Sequence, residues 1–275
     1  MLRLILLAKY VLIGIALAFA SYQDVKTREI DDKVWLIAGG IGAALTAYEI
    51  LTTPSYPLLL AGISITVTTV LALGIFYLGL YGGADAKALI AIALTVPIAL
   101  PPPANSVSPL FPLTVFGNSL LVSIVFIPFC AAWNLAWLAR GRPLFSGIEA
   151  SPLQKAAAFF IGVKVSAERA KSVHFNILER VRDDGGRHLK VFSRVSEYYE
   201  EEEQEVRRVI AAAERSGMKG NARGGGKNEA GAIGGDYVWA TPAIPMIVFF
   251  LAGYALSFVL GDMLFGLIAY FMGVL

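Results

Sequence analysis

Cysteine is almost missing from this chain. Cys130 stands alone in an apolar run, so one chain can build neither a disulfide framework nor a cysteine-based zinc site. Histidine is nearly as scarce. His174 and His188 both fall in the one long polar region, and two histidines without nearby cysteines make a poor metal site, so no metal and no cofactor is expected. Charge is thin too, at 16% of residues, and 23 basic against 21 acidic side chains leave a net charge of only +2. No basic run is dense enough to track phosphates, which argues against nucleic acid as a partner. What fills the space is apolar: 56% of the 275 residues are hydrophobic and the mean hydropathy is +0.64, far above a soluble domain of this size. The partner this composition requires is a lipid bilayer.

A spanning helix needs about 20 mostly apolar residues. Leu2 to Tyr22, Val34 to Leu51, Leu58 to Leu80, Ala86 to Leu100, Leu113 to Leu138 and Ile244 to Leu275 supply six runs, the fourth of them short. Arg3 and Lys9, near the start of the first, are expected to snorkel outward. That first run carries Lys9 and ends in Tyr22-Gln23-Asp24 without a small-x-small cleavage site, so it reads as retained. Lys26, Arg28, Lys33, Lys87, Arg140 and Arg142 fall on one side of the six-span arrangement, whereas the loops around Pro54 and Pro102 carry no charge. The positive-inside rule places the charged side in the cytoplasm, with Arg3 and Lys9 dissenting.

The polar region Ala139 to Asp236 interrupts the apolar pattern. Within it, Ser151 to Val173 has helical periodicity, and His174 to Val181 and Arg187 to Val195 read as strands around the turn signal Arg182-Asp183-Asp184-Gly185-Gly186. Ser196 to Ser216, with its acidic block Glu200 to Glu203, suits an exposed helix, and Gly217 to Gly235 reads as a flexible linker. The expected fold is an all-α polytopic membrane protein of six transmembrane helices, with a small mixed α/β cytoplasmic insertion between helices five and six. The expected organisation is a five-helix core over residues 1–138, a loop domain over 139–236 and a sixth transmembrane helix over 237–275.

Acids at or inside a bilayer are expensive and hence functional candidates. Asp24 ends the first apolar run, and Asp85 sits in Tyr81-Gly82-Gly83-Ala84-Asp85-Ala86-Lys87 between the third and fourth. Two carboxylates brought across a small gap cannot both ionise cheaply, so they share a proton and can hold a water between them. One then activates the water as base while the other polarises a peptide carbonyl. Gly82 and Gly83 suit such a site because residues without a side chain reach φ > 0 and let a substrate backbone come close. Each acid also has a plainer reading, Asp24 as a solvated helix end and Asp85 as a helix cap. Lys26 and Lys87 lie two residues after an Asp, a spacing that does not face it on a helix; lipid head groups are the better partners, with tuning of the acids as the second reading.

Asp24 with Lys26, Arg28 and Glu29, followed by Gly82-Gly83-Ala84-Asp85-Ala86-Lys87, resembles the archaeal branch of the type IV prepilin peptidase family, the GxGD intramembrane aspartyl proteases that include preflagellin peptidases. Trp239-Ala240-Thr241-Pro242-Ala243-Ile244-Pro245 is similar to a segment those archaeal proteins carry. The resemblance implies that Asp24 and Asp85 are the catalytic pair, that Gly82, Gly83, Ala84, Lys26 and Lys87 shape the site or bind substrate, and that Pro242 and Pro245 shape its edge. Ala84 replaces the second glycine of the GxGD pattern, as archaeal members tolerate. The implied partners are precursors with a short basic leader ahead of a hydrophobic helix, such as archaellins and pilins, cut at the cytoplasmic membrane face. Cys130 cannot supply the zinc-binding cysteine region of the bacterial enzymes, and cleavage without methylation is expected. The alternative is a small ion-coupled transporter or channel using Asp85 and Asp262, the latter placed in the middle of the last apolar run, where a structural hydrogen bond to a neighbouring helix is its first reading.

Overall fold

A computed structural model describes residues 2–78, 80–100, 107–170, 175–182, 186–189, 207–212, 237–242 and 246–273. The chain divides into two compact units, one made of residues 1–124 and 245–275 and the other of residues 125–244.

The first unit is helical. α1 (Leu2–Thr27) runs through 26 residues with four charges, Arg3, Lys9, Asp24 and Lys26. It stops where the Thr27 hydroxyl folds back to donate to Gln23 O at 3.0 Å and Arg28 turns into the left-handed region at φ 61°. Asp31 then caps α2 (Asp32–Thr52) by accepting from Lys33 N–H. α3 (Leu58–Tyr77) follows Pro57, and α4 (Gly83–Thr95) opens at Gly82 and ends before Pro97, whose ring disfavours helix in the residue ahead of it. α5 (Phe111–Ile124), α10 (Met246–Val259) and α11 (Met263–Phe271) complete the unit. Its core joins Ile13, Leu17 and Ala20 of α1, Ala88 and Ile92 of α4, Val115 of α5, and Ile247 and Phe250 of α10.

Among the described residues, four segments are long and apolar enough to cross a membrane: α1, α2, α3 and the run Phe111–Ala139. α10 and α11 make a fifth if the two, bent by 66°, count as one span. Two expectations about the apolar runs need correcting. The last is not one straight helix, because it breaks at Leu260-Gly261-Asp262, where Gly261 takes φ 72° and Asn118 of α5 bonds both sides of the break, donating to Gly261 O at 2.8 Å and accepting from Met263 N–H at 3.0 Å. Nor does Lys9 snorkel. It is fully buried and pairs with Glu49 of α2 at 2.6 Å, since a carboxylate facing it satisfies the ammonium without a route to water.

The second unit is mixed. α6 (Phe126–Ala139) leads to β1 (Ile148–Glu149), α7 (Pro152–Ile161), β2 (Val163–Ser166), α8 (Ala167–Ala170), β3 (Phe175–Ile177), β4 (Glu179–Val181), β5 (Arg187–Leu189), helical residues 207–212 (α9) and β6 (Tyr237–Pro242). The helix expected over Ser151 to Val173 is therefore only ten residues long. Ser151 and Gln154 form its capping box, and it ends at Gly162, after which Val163 and Val165 favour strand. The run from His174 splits into two strands belonging to different sheets, ordered β1-β5-β4 and β2-β6-β3. β4 and β5 pair antiparallel around the expected turn, closed by Arg182 N–H donating to Gly186 O at 2.9 Å. Residues 237–242, expected at the start of the last membrane segment, are a strand in register with β2 and β3. The acidic block Glu200 to Glu203 and all of the 217–235 stretch lie outside the described residues.

One buried ionic cluster ties the two sheets together. Glu179 accepts from Arg187 Nε at 2.7 Å and from Trp239 N–H at 2.5 Å, and Lys164 lies within its field at 2% exposure. Trp239 is itself buried, stacked on Phe145 and donating through Nε1 to Leu144 O.

Candidate active site

Asp24 occupies the last turn of α1, 14% exposed at its side chain. Two elements reach it. Arg28, on the turn into α2, places Nη1 3.8 Å from Asp24 Oδ1. The backbone N–H of Ile247, in the first turn of α10, donates to the carboxylate. Such N–H groups have no partner within their own helix, so an acid is a natural acceptor. Ser21 holds that helix end by donating to Ile247 O at 3.3 Å.

Asp85 is the third residue of α4, outside every candidate span. Its Oδ2 accepts from Gly82 N–H at 3.0 Å, so it does cap the helix, as the plainer reading expected. Capping is not its whole environment. Burial pushes the Asp85 carboxyl up to about 7 against that hydrogen bond, and the Asp24 charge adds to the rise. The fold thus brings two acids 61 positions apart in the chain into one electrostatic neighbourhood, with Asp85 inclined to hold a proton. Tyr81 closes one side. Its ring packs edge-on against Phe116 and Phe250, and its phenol is pushed up to about 12, first by burial and then by Asp85.

The glycine pair behaves differently from its sequence reading. Gly82 is extended at φ −71° and Gly83 is helical, so neither uses a positive φ. A Cβ on either would meet its nearest atom, Asp85 Oδ2 or Phe76 Cε2, at 3.4 or 3.5 Å, so no close packing within the chain demands glycine. Gly82 is exposed, which leaves its bare backbone open to something outside the chain. Ala84 sits in the first turn of α4 in a helical conformation that alanine adopts freely.

The two lysines turn away from the acids they follow. Lys26 donates to Tyr22 Oη at 3.2 Å and lies over that ring, while Lys87 pairs with Asp32 at 2.6 Å. Lys87 also borders a cavity of about 590 Å³ between α2 and α4, lined by Trp35, Gly39, Ile90 and Leu94 among others. Those α4 positions share one face, and Asp85 shares the other with the buried Ala88 and Ile92. Pro242 closes β6 opposite Phe175 in the second unit, and Pro245 lies outside the described residues. Asp262 spends one oxygen accepting from Ser108 N–H at 2.7 Å at the break ahead of α11, holding a loop to the helices.

Sequence reasoning missed Tyr81 as a wall, Arg28 as a neighbour of Asp24, and the Ile247 N–H. The first two lie within stretches that were noticed, and their side-chain directions carry no local signal. The third is a backbone group brought in from 223 residues away.

Residues 11–127, which include both acids, match the model of the Type IV leader peptidase family, and residues 154–263 match that of the Archaeal Peptidase A24 C-terminus Type II. The chain belongs to the type IV leader peptidase family. It is an aspartic peptidase of the A24 type, multi-spanning in the membrane, that cleaves the signal peptide from its precursors. Among its relatives is a preflagellin peptidase of Methanococcus voltae, 24% identical over 263 residues that cover 92% of this chain and 95% of the relative. A second, from Methanocaldococcus jannaschii, is 24% identical over 92% of this chain and 94% of its own. A third, from Methanococcus maripaludis, is 28% identical over 59% of this chain and 70% of its own.

Proposed function

We propose that this leader peptidase hydrolyses its precursors with Asp24 and Asp85 as the catalytic pair. The observation that carries the reading is their convergence: two acids from helix ends, both withdrawn from solvent, close enough that one charge raises the other. A water held between them attacks the scissile carbonyl carbon as one carboxylate takes its proton and the protonated partner gives its own to the carbonyl oxygen. Collapse of the tetrahedral intermediate transfers a proton to the leaving nitrogen, the C–N bond breaks, and the pair regains its single shared proton.

The substrates are preflagellins or prepilin-like precursors with a short basic leader ahead of a hydrophobic helix. The named relatives support the first of these, and the exposed Gly82 backbone beside Asp85 suits an extended leader passing over it. Gly82, Gly83 and Ala84 form the floor of that passage, and Lys26 and Lys87 flank it at the lipid surface. The basic residues around both acids support a site at the cytoplasmic face. Ala86 to Leu100 then serves as a short fourth span and the bent α10–α11 pair as the sixth, with the 139–236 region as a cytoplasmic domain. The new amino terminus is left unmethylated.

A membrane cleavage assay tests this. Wild type, Asp24→Asn and Asp85→Asn are mixed with a preflagellin carrying a basic leader, the size shift is followed and the product terminus is weighed. Cleavage by wild type, lost in each variant, supports the pair. Because one acid must be protonated, wild-type cleavage also falls as pH rises through about 7, the range in which Asp85 releases its proton. Retained cleavage in either Asn variant defeats the assignment, and a methylated product terminus defeats the last clause.

A further inference from the structure

We propose that Arg28 is the positioning residue that breaks the symmetry of the acid pair, holding Asp24 as the ionised base and leaving the proton on Asp85. The inference rests on the reading of Asp24 and Asp85 as catalytic. It starts from an outlier. Among the described residues, Arg28 is the one non-glycine with positive φ, at 61°. It follows the last residue of α1, where a left-handed residue commonly ends a helix and glycine is the usual choice because it has no Cβ to crowd. The backbone function there is already met without the side chain: Arg28 N–H donates to Asp24 O at 3.1 Å, and Thr27 and Glu29 exchange hydrogen bonds across the turn. An arginine at a glycine position is strained for reasons the turn does not supply.

The side chain supplies one. From this backbone the guanidinium returns over the helix end to Asp24 Oδ1 at 3.8 Å, 17% exposed. Around Asp24 the charged groups are Arg28 and, from α4, Asp85; α10 contributes the neutral Ile247 N–H, and Lys26 is turned to Tyr22. Asp24 is withdrawn from solvent as Asp85 is, and against that burial a cation and an N–H donor both favour a carboxylate on Asp24. Asp85 has no cation among its influences: one N–H, burial and the Asp24 charge surround it. The shared proton therefore belongs on Asp85. Asp24 takes the proton from the attacking water, Asp85 protonates the carbonyl oxygen, and on collapse Asp24 returns its proton to the leaving amine while Asp85 recovers one from the hydroxyl of the intermediate. A guanidinium at 3.8 Å also stays beside Asp24 after it is protonated, which makes that proton easier to surrender to the amine.

The test uses the full-length peptidase in lipid nanodiscs with a preflagellin substrate, reading kcat and KM across pH for wild type, Arg28→Gly, Arg28→Gln and Arg28→Lys. Arg28→Gly relieves the left-handed strain, so it is expected to unfold at the same temperature as wild type or higher. Its kcat is nonetheless expected to fall by about tenfold or more below neutral pH, with the acid limb of the profile moved up by about one unit and KM little changed. Arg28→Gln, uncharged but of similar length, shows the same displaced limb, and Arg28→Lys restores the limb in part. If Arg28→Gly keeps wild-type kcat and limb position, Arg28 is only a helix end and the proposal fails. It fails equally if KM rises while the limb stays in place, since Arg28 then touches substrate. These outcomes are separate from failure of the acid pair, which Asp24→Asn reports by retaining activity.

Discussion

Gly253 is a position where two helices around the acids, α5 and α10, come close, and replacing it by alanine tests whether that approach sets the site. An added Cβ would collide with the Ser119 hydroxyl and fall 2.6 Å from Ser119 N and 2.7 Å from Val115 O, the latter two being backbone of α5. Ordinary contact begins near 3.4 Å, so α10 would have to retreat from α5 by about 0.8 Å, and backbone, unlike a side-chain tip, cannot rotate aside. Overpacking of this kind costs about 1–3 kcal/mol. The retreat also carries the start of α10, whose Ile247 N–H bonds Asp24, away from its partner. Gly253→Ala should therefore lower the unfolding temperature in detergent and lower kcat for leader cleavage by about tenfold, the size of effect that sub-ångström misplacement produces. Gly40→Ala, where nothing lies within 4 Å, is the control and should leave both unchanged. Were Gly253→Ala to match that control in stability and rate, the close α5–α10 approach would not position the acids and the argument from packing to site would be refuted.

Two further outcomes follow from buried charge. Glu49→Gln strands the fully buried Lys9 ammonium and should cost about 3–5 kcal/mol, whereas the double variant Lys9→Met with Glu49→Leu should recover most of it; equal melting of the two would show that the pair is not buried together. In the second unit, burial pushes the Lys164 ammonium from its ordinary 10.5 down to about 8, against the attraction of Glu179. A depressed lysine binds its proton less tightly when folded, so this contribution to stability rises from about pH 8 to 10.5 and is lost as pH falls back through that window. Chemical denaturation followed at the buried Trp239 should show that rise, and Lys164→Met should flatten it; a slope unchanged by the substitution would assign it to another group.

Much about this chain was legible in the order of its residues. Long uncharged runs need only composition and length to be recognised as bilayer-crossing, because the bilayer imposes one thickness on every span. Asp24 and Asp85 stood out because an acid beside such a run is rarely accidental. The turn between β4 and β5 was visible because its signal lies in residues within a few positions of one another.

What failed was of another kind. The strand at Val163–Ser166 was hidden in a helical pattern, because short apolar runs satisfy both periods until a partner such as β6 chooses one. The break at Gly261 was hidden inside an apolar run, since the residue that stabilises it, Asn118, lies 143 positions away. Lys9 looked like a snorkelling lysine because Glu49 belongs to the next helix.

The sequence by itself determined that this is a membrane protein and which two acids are candidates, since both depend on the transfer of single residues and segments out of water. Only the tertiary structure decided how those acids differ. Arg28 turns back onto Asp24, Asp85 accepts from Gly82 N–H, and α10 arrives with the Ile247 N–H that bonds Asp24. Each of these depends on backbone angles and distances between elements, and no spacing along the chain encodes them.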